Sequence, residues 1–122
     1  MRVLVDTSIW SEALRRAKRT ESDVIAKLRN LILEHRVDII GPIRQEVLSG
    51  IREHLQFENL KSRLAAFADI ALETEDYITA AEFFNTCRAK GVQGSNTDFL
   101  ICAVAVRRKL AVFTTDKDFS LF

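Results

Sequence analysis

The chain has 122 residues, a usual size for one domain, and 48% of them are hydrophobic, which is enough for a continuous core and too many for a disordered chain. Its 18 basic and 17 acidic residues leave a formal net charge of +1, so the overall charge does not indicate a nucleic-acid partner. The longest apolar run, residues 99–106, is too short to span a bilayer, and the N-terminus lacks the apolar core of a signal peptide. We therefore expect one cytoplasmic domain, residues 1–122, with no membrane insertion.

The first hydrophobic stretch, residues 3–5, predicts a buried strand that ends in an acidic residue. Its sequence Val-Leu-Val is apolar throughout and mostly β-branched, the pattern of a central strand in a parallel sheet. The strand is followed by Asp6, Thr7 and Ser8, which are turn and helix-capping residues. Ligands of open α/β sheets bind outside the carboxyl ends of the strands. Asp6 is therefore a candidate functional residue, and capping of the next helix is its alternative role.

Helices and further short strands alternate along the rest of the chain. Apolar residues at helical spacing predict helices over residues 7–16, 20–32, 60–68, 75–90 and 99–109, and one from residue 42 to a break at 49–50. Short apolar stretches predict strands over residues 37–40 and 110–113, and a further short strand over 70–72. This alternation predicts an α/β fold with a central parallel sheet in a three-layer α/β/α arrangement.

Two of these helices carry more specific expectations. The spacing of apolar residues in the helix over 75–90 predicts a core-facing side made of Tyr77, Ile78, Ala81, Phe84 and Cys87. The next helix begins with Ser95 and has Asp98 three residues later, which is the pattern of a capping box.

Four acidic residues occupy comparable places in this predicted fold. Asp6 and Asp116 each follow an apolar strand, Asp98 lies in the first turn of a buried helix, and Glu46 lies on the helix after the second strand. Each has an ordinary structural explanation as a cap, a turn former or a solvated acid. Because a parallel sheet brings the carboxyl ends of its strands to one edge, we nevertheless expect the four carboxylates to gather there.

Carboxylates gathered at one edge repel one another, by about 4 kcal/mol for a pair roughly 4 Å apart at an effective dielectric near 20. Either their pKa values rise or a cation compensates the charge. Oxygen ligands without histidine or cysteine favour Mg²⁺ or Mn²⁺ over zinc. The pattern therefore indicates metal-assisted attack on a phosphodiester.

Other chemistries lack their motifs. The sequence contains no Walker A motif, no GxGxxG and no GxSxG, so neither nucleotide cradling nor a serine hydrolase is indicated. The two cysteines, Cys87 and Cys102, form no CxxC motif, and we expect them to be reduced and mostly buried.

Four short motifs resemble those of PIN domains, most closely the small toxin ribonucleases of the VapC type. They are Val5-Asp6-Thr7-Ser8-Ile9-Trp10, Glu46-Val47-Leu48-Ser49-Gly50, Asp98-Phe99-Leu100-Ile101-Cys102-Ala103 and Thr114-Thr115-Asp116-Lys117-Asp118-Phe119. Each motif is weak alone, but all four occur in the order and roughly the spacing of the family. The chain ends at Phe122, soon after the last acid, so we expect a terminal strand or helix of the relatives to be missing.

The resemblance implies a parallel-sheet α/β/α fold and an Mg²⁺- or Mn²⁺-dependent endoribonuclease that acts as the toxin of a type II toxin–antitoxin pair. It carries catalytic and metal-binding roles onto Asp6, Glu46, Asp98 and Asp116, with Asp118 as an additional candidate. A hydroxyl near the acids is typical of the family, and Thr7 or Thr114 would supply it. The resemblance also implies an antitoxin that blocks the site, and a homodimer.

The residues leave two further classes of function open. One is a PIN-like binding module whose acidic pocket holds a basic peptide without cleaving RNA. The other is a different Mg²⁺ enzyme such as a small phosphatase, although Asp6-Thr7-Ser8 lacks the second aspartate of the common aspartyl phosphatases. A basic cluster at Arg15, Arg16, Lys18 and Arg19 is either a solvated helix end or a guide for the RNA backbone.

Overall fold

The computed structural model describes residues 1–15 and 22–122, without the side chains of Arg15 and Asp118. The strands are β1 (Val3–Val5), β2 (Val37–Asp38) and β3 (Ala111–Phe113). The helices are α1 (Thr7–Arg15), α2 (Asp23–Leu33), α3 (Gly41–Leu48), α4 (His54–Leu64), α5 (Thr74–Ala89) and α6 (Asn96–Arg108), and a short 3₁₀ helix covers Lys117–Ser120. The side chains of the predicted basic cluster, Arg15, Arg16, Lys18 and Arg19, lie outside the described residues.

The three strands form one parallel sheet in the order β2-β1-β3. β1 lies in the centre, and its residues Val3, Leu4 and Val5 are all buried, as expected for an apolar strand covered on both faces. Val3 pairs with Val37 on one side and with Ala111 on the other. The helices flank this sheet, so the predicted α/β fold with a central parallel sheet is confirmed.

The strand predicted over residues 70–72 does not form. Instead, Asp69 makes a single parallel bridge with Ile39, and the Ile70 N–H donates to the Ile39 carbonyl at 2.9 Å. The segment before this bridge is held by Arg44, whose guanidinium donates to the carbonyls of Leu64 and Phe67 and to the Asp69 carboxylate.

The helix α6 is buried along most of its length, as the sequence predicted. Its buried residues are Phe99, Leu100, Ile101, Ala103, Val104 and Ala105. It begins with the predicted capping box, because the Ser95 side chain accepts from the Asp98 N–H and the Asp98 carboxylate accepts from the Ser95 N–H. None of the helices in the described part of the chain is long and apolar enough to cross a membrane.

The face that α5 turns to the core differs from the prediction. Asp76, Ala80 and Cys87 are buried, whereas Tyr77 and Ile78 are 54% and 47% exposed. Two more residues that were predicted to face the core are not fully buried: Ala81 is exposed and Phe84 is half-buried. The physical reason is an ionic contact that a hydrophobic pattern does not register, namely the pairing of Asp76 with two arginines of α6.

Asp76 is fully buried and accepts from both arginines at the C-terminal end of α6. Its carboxylate lies 2.6 Å from Arg107 Nη1 and 2.5 and 2.8 Å from the two terminal nitrogens of Arg108, and it also accepts from the Glu73 N–H at 2.7 Å. The hydrogen bonds from Arg108, more than any other contact, hold the pKa of Asp76 well below its ordinary value despite the opposing effect of burial. This contact joins the start of α5 to the end of α6.

Candidate functional site

Asp6 lies at the carboxyl end of β1, the central strand, and is only 5% exposed. Its backbone carbonyl accepts the first N–H groups of α1, from Ile9 and Trp10. Its side chain makes separate hydrogen bonds: Oδ2 accepts from Thr114 Oγ1 at 2.8 Å and from Ser8 Oγ at 3.0 Å. Among the described residues, the side chains that hydrogen-bond this buried carboxylate are these two hydroxyls.

Thr114 connects Asp6 to the segment that follows β3. Its hydroxyl donates to Asp6 and accepts from the Asp116 N–H at 2.9 Å. The Thr115 N–H donates to Ser8 Oγ at 3.3 Å, which ties the same segment to the start of α1. The ends of β1 and β3 are adjacent because these strands pair in parallel, and Asp116 is thereby placed near Asp6.

Glu46 reaches the same edge of the sheet from α3. Its side chain is exposed, and Oε1 accepts from Thr7 Oγ1 at 2.7 Å. Thr7 is the residue after Asp6, so this bond connects the second predicted acid to the end of β1. The two threonines proposed as alternative hydroxyls are thus both used, Thr7 on Glu46 and Thr114 on Asp6.

Asp98 is held at the first turn of α6, where its carboxylate serves the capping box. Cys102 lies one helical turn further along α6. Burial raises the pKa of the Cys102 thiol to about 12, and the negative charges of Asp98 and Asp6 add to that shift. Both carboxylates are thus close enough to this thiol to affect its ionisation.

The four acids do not form a ready-made metal-binding cluster. Among the described residues, no three Asp, Glu, His or Cys side chains are grouped so that they could hold a metal ion. Glu46 accepts from Thr7 and Asp98 accepts from the Ser95 N–H, so each of these carboxylates already has a hydrogen-bond donor within the protein. The side chain of Asp118, the additional candidate, is not among those described.

The chemical type of the candidate ligands nevertheless suits a hard divalent cation. All the candidate ligands are carboxylate oxygens, which Mg²⁺ and Mn²⁺ prefer. A buried carboxylate is costly unless a charge or several hydrogen bonds compensate it, and Asp6 has two hydroxyl donors. The two cysteines are free thiols, as the sequence predicted, and Cys87 is buried.

Ser8 is the residue of this site that the sequence interpretation treated only as a capping residue. It donates to Asp6, lies 3.4 Å from the Thr114 hydroxyl and accepts from the Thr115 N–H. A signal was present, because a serine two residues after a strand-end acid lies in the first turn of the helix that starts there. What the sequence could not provide was the partner segment after β3, more than a hundred residues away.

The fold of this chain is also found in solved structures of other proteins. No curated protein sequence matches the chain. Among solved structures, a chain in the crystal structure of VapBC2 from Rickettsia felis bound to a DNA fragment from their promoter superposes with a TM-score of 0.81 at 18% identity, covering 100% of this chain and 93% of that one. A chain in FitAcB from Neisseria gonorrhoeae superposes with a TM-score of 0.78 at 25% identity, covering 97% and 91% respectively.

The family assignment depends on a sequence match rather than on these superpositions. The family model of the PIN domain matches residues 3–122, nearly the whole chain. The match includes all four segments that carry the acids, together with Thr7, Ser8 and Thr114. The chain therefore belongs to the PIN domain family.

Proposed function

We propose that this protein is a metal-dependent endoribonuclease, the toxin of a type II toxin–antitoxin pair, that hydrolyses RNA phosphodiesters at the edge of the sheet around Asp6. The observation that carries the proposal is the buried Asp6 carboxylate at the end of the central strand, linked through Thr114 to the Asp116 segment. PIN domains are generally nucleases that use divalent metals, which supports the enzyme class. The choice of RNA and of Mg²⁺ or Mn²⁺ is our inference.

Asp6, Asp98, Asp116 and Glu46 would hold the metal. When bound, the ion would lower the pKa of the attacking water and neutralise charge on the leaving oxygen. Thr114 and Ser8 fix Asp6 Oδ2, so the ligand at the strand end is oriented before substrate arrives. Thr7 holds Glu46 Oε1, and the Glu46 carboxylate would either bind the metal or position the attacking water.

The proposed partners follow from the relatives. The VapBC2 structure is named as a pair of proteins bound to a promoter fragment, and the present chain has the fold of one of its chains. This likeness supports a cognate antitoxin that covers the acidic edge, the edge of the sheet that carries Asp6, Glu46, Asp98 and Asp116. We also propose a homodimer, and a role for Arg15, Arg16, Lys18 and Arg19 in guiding the RNA backbone.

The direct test is cleavage of total RNA in Mg²⁺ by the wild-type protein and by the variants Asp6→Asn, Glu46→Gln, Asp98→Asn and Asp116→Asn. Activity should collapse in all four, because metal-activated water needs the full ligand set. Circular dichroism should show each variant folded, since removing one carboxylate also removes repulsion from its neighbours. Glu75→Gln, an exposed acid on α5 outside the site, is the matched control and should cleave at the wild-type rate.

Two outcomes would contradict the proposal. If all four folded variants cleave as fast as wild type, the catalytic site lies elsewhere. If the wild-type protein never cleaves RNA with metal present and antitoxin absent, the protein is instead a binding module whose acidic pocket holds a basic peptide. The bonds that already engage Glu46 and Asp98 within the protein are the observation that favours this second function.

Metal binding can be measured without turnover. Mg²⁺ or Mn²⁺ should raise the melting temperature of the wild-type protein, because a ligand that binds only the folded state stabilises it. Asp98→Asn should show a smaller increase at the same metal concentration. An identical increase in both proteins would remove Asp98 from the ligand set.

A further inference from the structure

A cleft of about 360 Å³ lies between α5 and the start of α6. It is lined by three aromatic rings, Tyr77, Phe84 and Phe99, and by three short polar side chains, Asn85, Asn96 and Thr97. Tyr77 is 54% exposed and is the only tyrosine of the chain. Hydrophobic burial therefore does not explain its position, although the sequence pattern had placed it in the core.

The cleft is close to two of the proposed site residues. Asn96 and Thr97 immediately precede Asp98 on α6. Pro42, which also lines the cleft, lies four residues before Glu46 on α3, one helical turn along the same face. A strand with its phosphodiester at the acids would therefore have a neighbouring nucleotide within reach of this cleft.

The polar groups that line the cleft are available to a ligand. Within the described residues, no side chain or backbone group hydrogen-bonds the side chains of Asn85, Asn96 or Thr97. Asparagine amides present both a donor and an acceptor, as the edge of a nucleobase requires. Exposed aromatic rings and amides together are the means by which proteins bind unpaired bases, by stacking and by edge hydrogen bonds.

Arg88 does not line the cleft, but it contacts Phe84, one of the rings that do. The Arg88 guanidinium lies 5.8 Å from the centre of the Phe84 ring, a cation–π contact that keeps it beside the cleft. Phe84 in turn meets buried Phe99 edge-to-face, with ring centres 5.5 Å apart. One wall of the cleft is thus anchored to the core through Phe84 and Phe99.

We infer that this cleft is a base-binding subsite that takes one unpaired nucleobase of the RNA, stacked on Tyr77 and hydrogen-bonded by Asn85 or Asn96. The inference depends on the proposed function, because it extends the same RNA site by one nucleotide. It identifies Tyr77 as a residue that contributes to substrate selection rather than to the chemical step.

The test is binding of a single-stranded RNA oligonucleotide in EDTA, where no cleavage occurs, compared with a fully abasic ribose–phosphate strand of equal length. Tyr77→Ala should weaken RNA binding by about 5- to 150-fold, the usual effect of losing one base–aromatic stack, and leave binding of the abasic strand unchanged. Tyr77→Phe should retain RNA binding because the ring remains. Ile78→Ala, the 47%-exposed neighbour that does not line the cleft, is the matched control and should behave as wild type.

The inference fails if Tyr77→Ala binds RNA as the wild-type protein does, or if it loses RNA and abasic strand equally. It also fails if wild type binds RNA no better than the abasic strand, or if Tyr77→Ala changes only self-association or capture of a protein partner. Cleavage in Mg²⁺ by the wild-type protein is scored separately. If the wild-type protein cleaves RNA and Tyr77→Ala binds RNA as the wild type does, the subsite is refuted and the nuclease proposal is retained. If RNA binding depends on the bases and on Tyr77 but no cleavage occurs, the nuclease proposal is refuted and the subsite is retained.

Discussion

The contacts of Asp76 allow us to predict how much its replacement lowers the free energy of unfolding. Asp76→Asn keeps the shape of the side chain but removes the negative charge that faces Arg107 and Arg108. Breaking a buried ion pair by removing one partner costs about 3–5 kcal/mol. The arginine side chains are 28% and 22% exposed, so they can turn partly to water, which places the expected loss near the lower end, about 3 kcal/mol.

The loss should be visible in both chemical and thermal unfolding. For a domain of this size, about 3 kcal/mol lowers the melting temperature by roughly 12 °C. Urea unfolding followed by circular dichroism gives the difference in free energy of unfolding. The matched control is Glu75→Gln, an exposed acid in the same turn of α5, which should change stability by less than about 0.5 kcal/mol. Equal midpoints for Asp76→Asn and Glu75→Gln would refute the energetic role assigned to Asp76.

The dependence on pH has a definite sign. The pKa of Asp76 is lower in the folded protein than the ordinary 3.8 of an aspartate, chiefly because of Arg108. Below pH 3.8 the unfolded chain binds a proton that the folded chain does not, so the stabilisation is complete above that pH and is lost as the pH falls toward the folded value. The difference between wild type and Asp76→Asn should therefore be constant from pH 7 to about 5 and shrink below about 4. A difference that grows on acidification would contradict this assignment.

Three further predictions concern the acidic edge and the thiol beside it. Thr114→Val should reduce RNA cleavage at least tenfold, because it removes the hydroxyl that donates to Asp6, and should lower the free energy of unfolding by only about 1 kcal/mol. The control Thr86→Val, at an exposed position of α5, should change neither cleavage nor stability. Cys102, with its pKa raised to about 12, should react very slowly with a thiol reagent at pH 8 in a Cys87→Ala background and rapidly in urea. Rapid labelling of the folded protein would contradict the raised pKa. Replacing Arg15, Arg16, Lys18 and Arg19 by serine should weaken RNA binding and reduce the slope of log K against log salt by up to about 3, and an unchanged slope would leave the cluster without a role in RNA binding.

The sequence by itself determined the features that depend on neighbouring residues. The apolar run of β1 followed by Asp6, the capping box of Ser95 and Asp98, and the buried face of α6 were all predicted and are all present. Each is local, because strand burial, helix capping and helical periodicity act over a few residues. The alternation of such segments was enough to predict a parallel sheet, and with it an acidic edge.

The tertiary structure alone decided which groups meet across the chain. Thr114 bonds Asp6 over 108 positions and Asp76 is buried by arginines 31 and 32 positions away, so neither contact is visible in a local pattern. The second contact overrides the hydrophobic periodicity of α5 and leaves Tyr77 exposed, because burial of Asp76 requires that α5 turn that face toward Arg107 and Arg108. Hydrophobic spacing records only apolar burial, whereas the rotation of this helix is determined by an ion pair formed in the folded state.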